Sequence, residues 1–175
     1  MATPYDIQTY LLDRANVHDT VIRLGMNLDR DSPEGLIRDV YAPQCTIDYT
    51  SMFGGNPMET TNEEWAKSLG PMMGAFDGKQ HLVMGLLIEL PQPANGAVRP
   101  DRCTVTANCN GHLLRRAARG GHMMHNGGRY VIDLVRLPEL EQKGENPWRI
   151  SKHVTILSWE DGSPDVMTVV ADVGH

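Results

Sequence analysis

The side chains of this sequence best suited to chemistry are an aspartate, two histidines and two tyrosines: Asp29, Tyr49, His81, His112 and Tyr130. Removing water from a substrate, or shifting a double bond next to a carbonyl, needs a base for a C–H proton. It also needs a donor for the charge that develops on oxygen. Histidine can fill either role near neutral pH, a carboxylate can fix the tautomer of an imidazole, and tyrosine hydroxyls can donate to oxygen. Such a reaction requires no redox centre, cofactor or metal ion.

The first half of the sequence predicts helices that lead into one strand. Apolar residues recur at three- and four-residue steps over residues 5–29, which indicates a long amphipathic helix. Ser32, followed by proline, is typical of the start of a second helix, and Pro43 is expected to end it. Residues 45–49 then predict a strand. A Thr-Asn-Glu-Glu motif at residues 61–64 indicates a capping box at the start of a third helix.

The second half changes to strands separated by turns rich in glycine, proline, asparagine and charge. Helices followed by antiparallel strands form an α+β pattern, unlike the alternating βαβ pattern of parallel sheets. We therefore predict one domain over residues 1–175, in which a curved sheet wraps the helices as a cone with a mouth. The tail, residues 160–175, is expected to form a strand or a short helix that covers this mouth. The predicted strands are His81–Leu90, Arg102–Arg115, Gly128–Leu137 and Trp148–Trp159.

Three short sequence motifs resemble those of a known family. The first helix ends in Leu-Asp-Arg-Asp at residues 28–31, and the first strand ends in Ile-Asp-Tyr at residues 47–49. A Gln-His pair at residues 80–81 opens the next strand. In this order, after a helix–helix–strand opening, they resemble the SnoaL-like branch of the NTF2-like α+β cone fold, and within it scytalone dehydratase. The resemblance implies one deep pocket for a small molecule.

The resemblance also implies roles for the side chains at these positions. Asp29 and Tyr49 would hold and polarise the substrate, while His81 and His112 would act as acid and base, partly through a bound water. Tyr130 stands where the dehydratase has a pocket asparagine, and leucine replaces the tyrosine that precedes the aspartate in that family. The implied activity is a cofactor-independent lyase or isomerase. A dehydratase, a cyclase or a skeletal isomerase for a small apolar ring compound, such as a natural-product intermediate, fits this description.

Two other functions are compatible with the same fold, because fold alone does not decide function. A limonene-type epoxide hydrolase needs an Asp–Arg–Asp arrangement around a water, and the sequence shows no clear pairing of this kind. A non-catalytic module for small-ligand binding or dimerisation is the second alternative.

Alternating residues divide the strand at 102–115 into a polar and an apolar face. Asn110 and His112 share the polar face, which we expect to line the pocket. The apolar face, which holds two cysteines, is then expected to form a homodimer interface at the back of the sheet. Asn110 and Tyr130 are thus predicted to bind substrate. Arg38 either clamps a substrate charge or forms an ion pair with a neighbouring aspartate.

Composition excludes several classes of partner. The net charge of −6 argues against nucleic-acid and anionic-membrane binding, and no apolar run approaches the ~20 residues of a membrane span. Three cysteines without a Cys-x-x-Cys motif are typical of reduced thiols in a cytoplasmic protein. Motifs for nucleotide binding, serine hydrolysis and zinc binding are missing from the sequence. The histidines at 122 and 125 indicate a turn rather than a metal site, and His18 and His153 are expected to be structural.

Overall fold

The computed structural model describes residues 5–94 and 96–168, which form helices packed against a curved six-stranded sheet. The helices are α1 (Ile7–Asp29), α2 (Pro33–Gly35) with a π-helical turn after it (Leu36–Val40), α3 (Thr50–Phe53), α4 (Asn62–Gly74) and α5 (Pro138–Glu141). The strands are β1 (Tyr41–Asp48), β2 (Met58–Thr61), β3 (Gly78–Glu89), β4 (Arg102–Leu114), β5 (Met123–Arg136) and β6 (Trp148–Gly162), followed by a 3₁₀ turn (Pro164–Val166).

The strands lie in the order β2-β1-β6-β5-β4-β3. The long strands β3 to β6 pair antiparallel, as the sequence predicts, whereas β1 runs parallel to β6. This parallel pair brings an early strand beside the last one and adds β2 at the edge. Irregular pairing between Met84 and Leu87, and between Gly127 and Gly128, marks bulges, which bend a sheet and increase its twist.

Helix α1 packs on the concave face of the sheet. Val17, Val21 and Leu24 on this helix are fully buried. Gly25 follows them, and a Cβ at this position would lie only 3.1 Å from the backbone oxygen of His81. Because glycine lacks this atom, α1 can approach β3 closely. The close approach brings the last turn of α1 beside the start of β3.

The predicted capping box at the start of α4 is confirmed. The Thr61 hydroxyl accepts a hydrogen bond from the Glu64 backbone N–H at 3.1 Å, and the Glu64 carboxylate accepts one from the Thr61 backbone N–H at 3.2 Å. These bonds satisfy N–H groups that a helix terminus leaves without partners. They fix the direction in which α4 leaves the edge strand β2. Pro43, in contrast, does not end a helix but lies within β1.

A buried ion pair ties α1 to the loop before β4 and to β6. Asp13 is fully buried, and its two carboxylate oxygens accept hydrogen bonds from Arg99 at 2.9 and 2.6 Å. The indole N–H of Trp148 donates to the same carboxylate at 2.9 Å. Arg99 also pairs with Glu141. Since the Arg99 side chain is itself only 9% exposed, the guanidinium depends on these carboxylates.

The expectation that the polar face of β4 lines the pocket is wrong. Val105 and Ala107 are fully buried, and the cysteines on the same face are nearly so, so the apolar face points into the cone. The cause is the apolar stripe of α1, which covers the concave side and requires an apolar surface opposite it. The predicted homodimer therefore cannot use this buried apolar face. Dimerisation stays a prediction that would have to involve another surface.

The tail is described only in part. Strand β6 continues to Gly162, and Val166 in the following 3₁₀ turn is fully buried. Residues 169–175, which include most of the predicted covering segment, lie outside the described residues. Among the described helices, none combines the length and the apolar character needed to cross a membrane.

Candidate active site

A cavity of about 370 Å³ opens within the cone between α4 and the sheet. Its wall is mainly apolar and includes five methionines from α3, β2, α4 and the C-terminal segment. Methionine is flexible and polarisable and adapts to ligands of irregular shape. The polar side chains on the wall come from β3 to β6, from α4 and from the segment that follows β1. They belong to Tyr49, His81, Cys109, Tyr130 and Thr155, with Thr50, Asn56, Ser68, Asn126 and Arg129 in addition.

Asp29 and His81 form a hydrogen-bonded pair at the edge of this cavity. Asp29 is the last residue of α1, and its Oδ1 lies 2.7 Å from His81 Nδ1. The backbone N–H of His81 also donates to both carboxylate oxygens, each at 3.0 Å. An ionised carboxylate can only accept hydrogen bonds, so Nδ1 carries the proton of the neutral imidazole. In that neutral form Nε2 is unprotonated, and it has no hydrogen-bond partner among the described residues.

Two tyrosines also line the cavity: Tyr130 is buried, and Tyr49 is partly buried. Burial raises the pKa of both Tyr49 and Tyr130 above the ordinary value, so both hydroxyls keep their protons. Tyr49 contacts the Trp65 ring at a centroid distance of 5.7 Å. As residues of the cavity wall, both tyrosines can supply a hydroxyl donor to a ligand.

A fully buried histidine lies among these tyrosines. The His153 ring packs edge-on against Tyr130 and Tyr49 at centroid distances of 4.5 and 5.3 Å. Its Nδ1 lies 2.9 Å from the Tyr41 hydroxyl, and its Nε2 lies 3.4 Å from the Thr155 hydroxyl. Burial lowers the pKa of His153 to about 3, which keeps the imidazole neutral near pH 7. The sequence contains one signal for this cluster: His153 and Thr155 are two positions apart on one strand, so their side chains lie on the same face.

The structure separates three of the predicted site residues from the cavity. His112 lies on the outer face of β4, where its Nδ1 is 2.8 Å from Nδ1 of His125 on β5. Asn110 lies on the same outer face and does not line the cavity. Arg38 forms an ion pair at 2.7 Å with Asp39, and its side chain is 73% exposed. His112 and Asn110 follow the outward polar face of β4, while Arg38 lies in the π-helical turn at the surface.

Cys109 takes the inward position on β4 that the sequence reasoning gave to His112. The thiol lines the cavity, and burial raises its pKa to about 11. All three cysteines are free and buried. Among residues 5–94 and 96–168, histidine, cysteine and acidic side chains form no group of three that could hold a metal ion.

Comparison with protein families identifies the chain. The model of the SnoaL-like domain matches residues 9–154, so this protein belongs to the SnoaL-like family. A comparison with curated proteins finds no significant sequence match.

Solved structures show the same fold. Kfla4162 protein from Kribbella flavida is 23% identical, with a TM-score of 0.74, and the match covers 90% of this chain and 96% of that one. A proposed scytalone dehydratase from Novosphingobium aromaticivorans is 16% identical, with a TM-score of 0.69 over 90% and 92% of the two chains. Hexachlorocyclohexane dehydrochlorinase LinA-type3 from Novosphingobium barchaimii is 11% identical, with a TM-score of 0.68 over 91% and 95%. These similarities confirm the predicted NTF2-like α+β cone.

Proposed function

We propose that this protein is a cofactor-independent lyase or isomerase that acts on a neutral, largely apolar ring compound. The observation that carries the proposal is the Asp29–His81 pair, which holds the imidazole through Nδ1 at the edge of an apolar cavity and leaves Nε2 without a partner among the described residues. A base in this position can remove a C–H proton. The Asp29 carboxylate, 2.7 Å from Nδ1, then stabilises the imidazolium that forms.

The reaction proceeds by proton transfer alone. His81 Nε2 takes a proton from a carbon next to a carbonyl, and the electron pair of that C–H bond moves toward the carbonyl oxygen. The Tyr49 and Tyr130 hydroxyls donate to this oxygen as charge develops on it. In an elimination, the double bond forms as the bond from the β-carbon to the leaving group breaks: a hydroxyl group takes the imidazolium proton and leaves as water, whereas a halide leaves as the anion and the imidazolium releases its proton to solvent. In an isomerisation, the imidazolium returns its proton to another carbon.

The cavity indicates the kind of substrate. Its wall carries methionine, leucine, isoleucine and aromatic side chains, and among the described residues Arg129 is the one basic residue other than His81 that lines it. Burying a substrate charge without a partner would be unfavourable, which favours a neutral compound. At the packing density of protein interiors, about 0.74, a cavity of 370 Å³ accommodates a molecule of two or three fused rings.

The structural neighbours support an elimination as the reaction. Two of them are named as a dehydratase and a dehydrochlorinase, and both names describe removal of a small molecule from a substrate. Their low identity shows a shared fold, and the Asp29–His81 geometry supplies the chemical argument for this chain.

The epoxide-hydrolase alternative has weaker support. Asp29 pairs with a histidine instead of an arginine. Asp133 accepts a hydrogen bond from Thr104 at 2.8 Å. The residues on either side of each are buried in the cone, so Asp133 and Thr104 lie on the outer face of the sheet. Neither aspartate therefore forms the Asp–Arg–Asp arrangement that this reaction needs.

The proposal is tested with two probes and a set of histidine variants. The first probe is a tetralone with a hydroxyl group β to its ketone, which loses water to give a fluorescent naphthol. The second probe is hexachlorocyclohexane, for which chloride release is measured. We expect His81→Gln to lower the rate by on the order of 100-fold or more, and Asp29→Asn to lower it by a similar factor, because the tautomer is no longer fixed.

The controls separate the dyad from other histidines. His18→Gln changes a histidine on the outer side of α1, whose side chain is 53% exposed, and it should keep the wild-type rate. His112→Gln distinguishes the sequence prediction from the observed geometry, since the outer position predicts full activity. If the wild type binds the probes tightly without turnover, or if His81→Gln turns over as fast as the wild type, the enzymatic proposal fails and a ligand-binding module replaces it.

A further inference from the structure

We propose that Lys79 and Asp31, neither of which lines the cavity, are positioning residues that hold the Asp29 carboxylate against the imidazole of His81. The inference rests on the proposed function in one respect, since it concerns the base assigned there. It is carried by a second ion pair beside the Asp29–His81 dyad, in which Lys79 Nζ lies 2.7 Å from Asp31 Oδ2. Both pairs join the C-terminal end of α1 to the start of β3.

The turn that follows α1 determines where Asp29 lies. The backbone N–H of Ser32 donates to the carbonyl of Asn27 at 3.0 Å, which spans the end of the helix. The backbone N–H of Asp31 donates to the carbonyl of Leu28 at 3.3 Å. These two bonds form a Schellman motif, whose left-handed position is usually glycine. Here Asp31 takes that position, with a φ of 51°. An unfavourable backbone conformation is thus retained for a residue whose carboxylate binds Lys79.

The ammonium group of Lys79 depends on partners within the protein. Its side chain is only 6% exposed, and an unpaired buried charge would be costly. The Asp31 carboxylate accepts one hydrogen bond from Nζ at 2.7 Å, and the backbone carbonyl of Met73 accepts another at 3.0 Å. Met73 lies in the last turn of α4 and lines the cavity. Lys79 therefore joins β3 to the ends of both helices that border the dyad.

The two ion pairs lie side by side. Lys79 and His81 are two positions apart on β3, which places their side chains on the same face of the strand. Asp29 and Asp31 are separated by a single residue of the turn, so a displacement of Asp31 is transmitted to Asp29. The Asp29–His81 contact of 2.7 Å therefore depends on the neighbouring pair. Small displacements of catalytic groups lower rates strongly.

The first test compares two substitutions of Asp31. Asp31→Asn and Asp31→Gly both remove the negative charge, and both new residues accept the left-handed conformation. They differ because the asparagine amide oxygen can still accept a hydrogen bond from Lys79, whereas glycine has no side chain. We expect Asp31→Gly to lower kcat for the hydroxytetralone probe by about 10- to 100-fold with little change in KM, and Asp31→Asn to recover most of this loss. An equal loss in both variants, or no loss in Asp31→Gly, would overturn the inference.

The variant Lys79→Met separates the contact from the charges. If the ion pair acted on the base through its charges, removing the positive charge and removing the negative charge would change the rate in opposite directions. Loss of a shared contact should lower the rate in both Lys79→Met and Asp31→Gly. Opposite changes in these two variants would overturn the inference. Should Lys79→Met fail to fold, the comparison of the two Asp31 variants decides alone.

The tautomer of His81 gives a readout that needs no substrate. Nitrogen NMR on protein labelled with ¹⁵N-histidine, at a pH where the imidazole is neutral, distinguishes protonated from unprotonated ring nitrogens. The signals that vanish in His81→Gln are assigned to His81. We expect a protonated Nδ1 in the wild type and in Asp31→Asn, and a mixture of both tautomers in Asp31→Gly. An unchanged Nδ1 proton in Asp31→Gly would overturn the inference. This result is obtained even if the wild type does not turn over the probe, so it is distinguishable from a failure of the proposed function.

The control is another ion pair at the same end of β3. Arg116 lies 3.4 Å from Asp77, the residue before the strand, and its side chain is 72% exposed. Arg116→Met should keep the wild-type rate and the wild-type tautomer of His81. Circular dichroism determines the folded fraction, to which all rates are normalised. A loss in Arg116→Met as large as in Asp31→Gly would show that any weakening at this end of β3 has the same effect, and it would overturn the inference.

Discussion

The buried His153 makes the stability of the fold depend on pH in a specific window. Its pKa is lowered by burial from 6.5 to about 3 in the folded protein. In the unfolded chain it titrates at the ordinary value, so between these two values the unfolded state binds more protons than the folded state. The free energy of unfolding therefore rises with pH across this window, and it falls as the pH drops below 6.5.

The magnitude follows from the two pKa values. One pH unit well inside the window corresponds to about 1.4 kcal/mol per group. Between pH 7 and pH 5, where the unfolded imidazole becomes charged and the folded one stays neutral, His153 accounts for a loss of ~2 kcal/mol. This is a large fraction of the 5–15 kcal/mol that is typical for a domain. Other titrating groups act in the same way in a His153 variant and cancel in the comparison.

The assay is urea unfolding at pH 7, 6 and 5, followed by tryptophan fluorescence. His153→Gln cannot titrate, so its stability should fall less than that of the wild type over this range. From pH 7 to pH 5, the wild type should lose ~2 kcal/mol more of its free energy of unfolding than the variant loses. Parallel curves would refute the reasoning. Should the variant unfold at every pH, an NMR titration of the wild type replaces it: His153 should stay neutral down to pH 5, and protonation above that pH would equally refute the argument.

Two further predictions concern stability and assembly. Asp13→Asn should destabilise the protein by about 3–5 kcal/mol, because it removes the charge that pairs with the buried Arg99. The control Asp19→Asn, on the exposed side of the same helix, should change the stability little. Urea unfolding measures both variants, and an equal loss of stability in the two would contradict the prediction. Gel filtration with light scattering should give a homodimer, and the monomer mass at micromolar concentration would contradict that prediction.

The sequence predicted the fold, and four of the predicted site residues lie at the cavity: Asp29, Tyr49, His81 and Tyr130. Periodicity predicted where the first helix ends, and the resemblance to the SnoaL-like fold implied that Asp29 and His81, at element ends, belong to the pocket. Local sequence patterns identify where helices and strands begin and end. A contact between two residues at such ends depends on little besides the positions of the two ends. The structure shows the two side chains in contact at 2.7 Å.

The rest of the site depends on long-range packing that local patterns do not contain. On β4, the polar positions of Asn110 and His112 alternate with apolar ones, and which face is inside depends on where α1 packs. The Tyr41–His153 contact joins residues 112 positions apart, and it exists because β1 pairs parallel with β6. No spacing in the sequence indicates this pairing, so His153 was expected to be structural only.

The most direct test of the central claim is proton abstraction itself, measured without knowledge of the natural substrate. Tetralone in D₂O exchanges its C–H protons next to the ketone when a base removes them, and proton NMR follows the loss of their signal. The account predicts exchange well above the buffer rate with the wild type and with His18→Gln, and no such acceleration with His81→Gln. Exchange by His81→Gln at the wild-type rate would contradict the assignment of His81, held by Asp29, as the base.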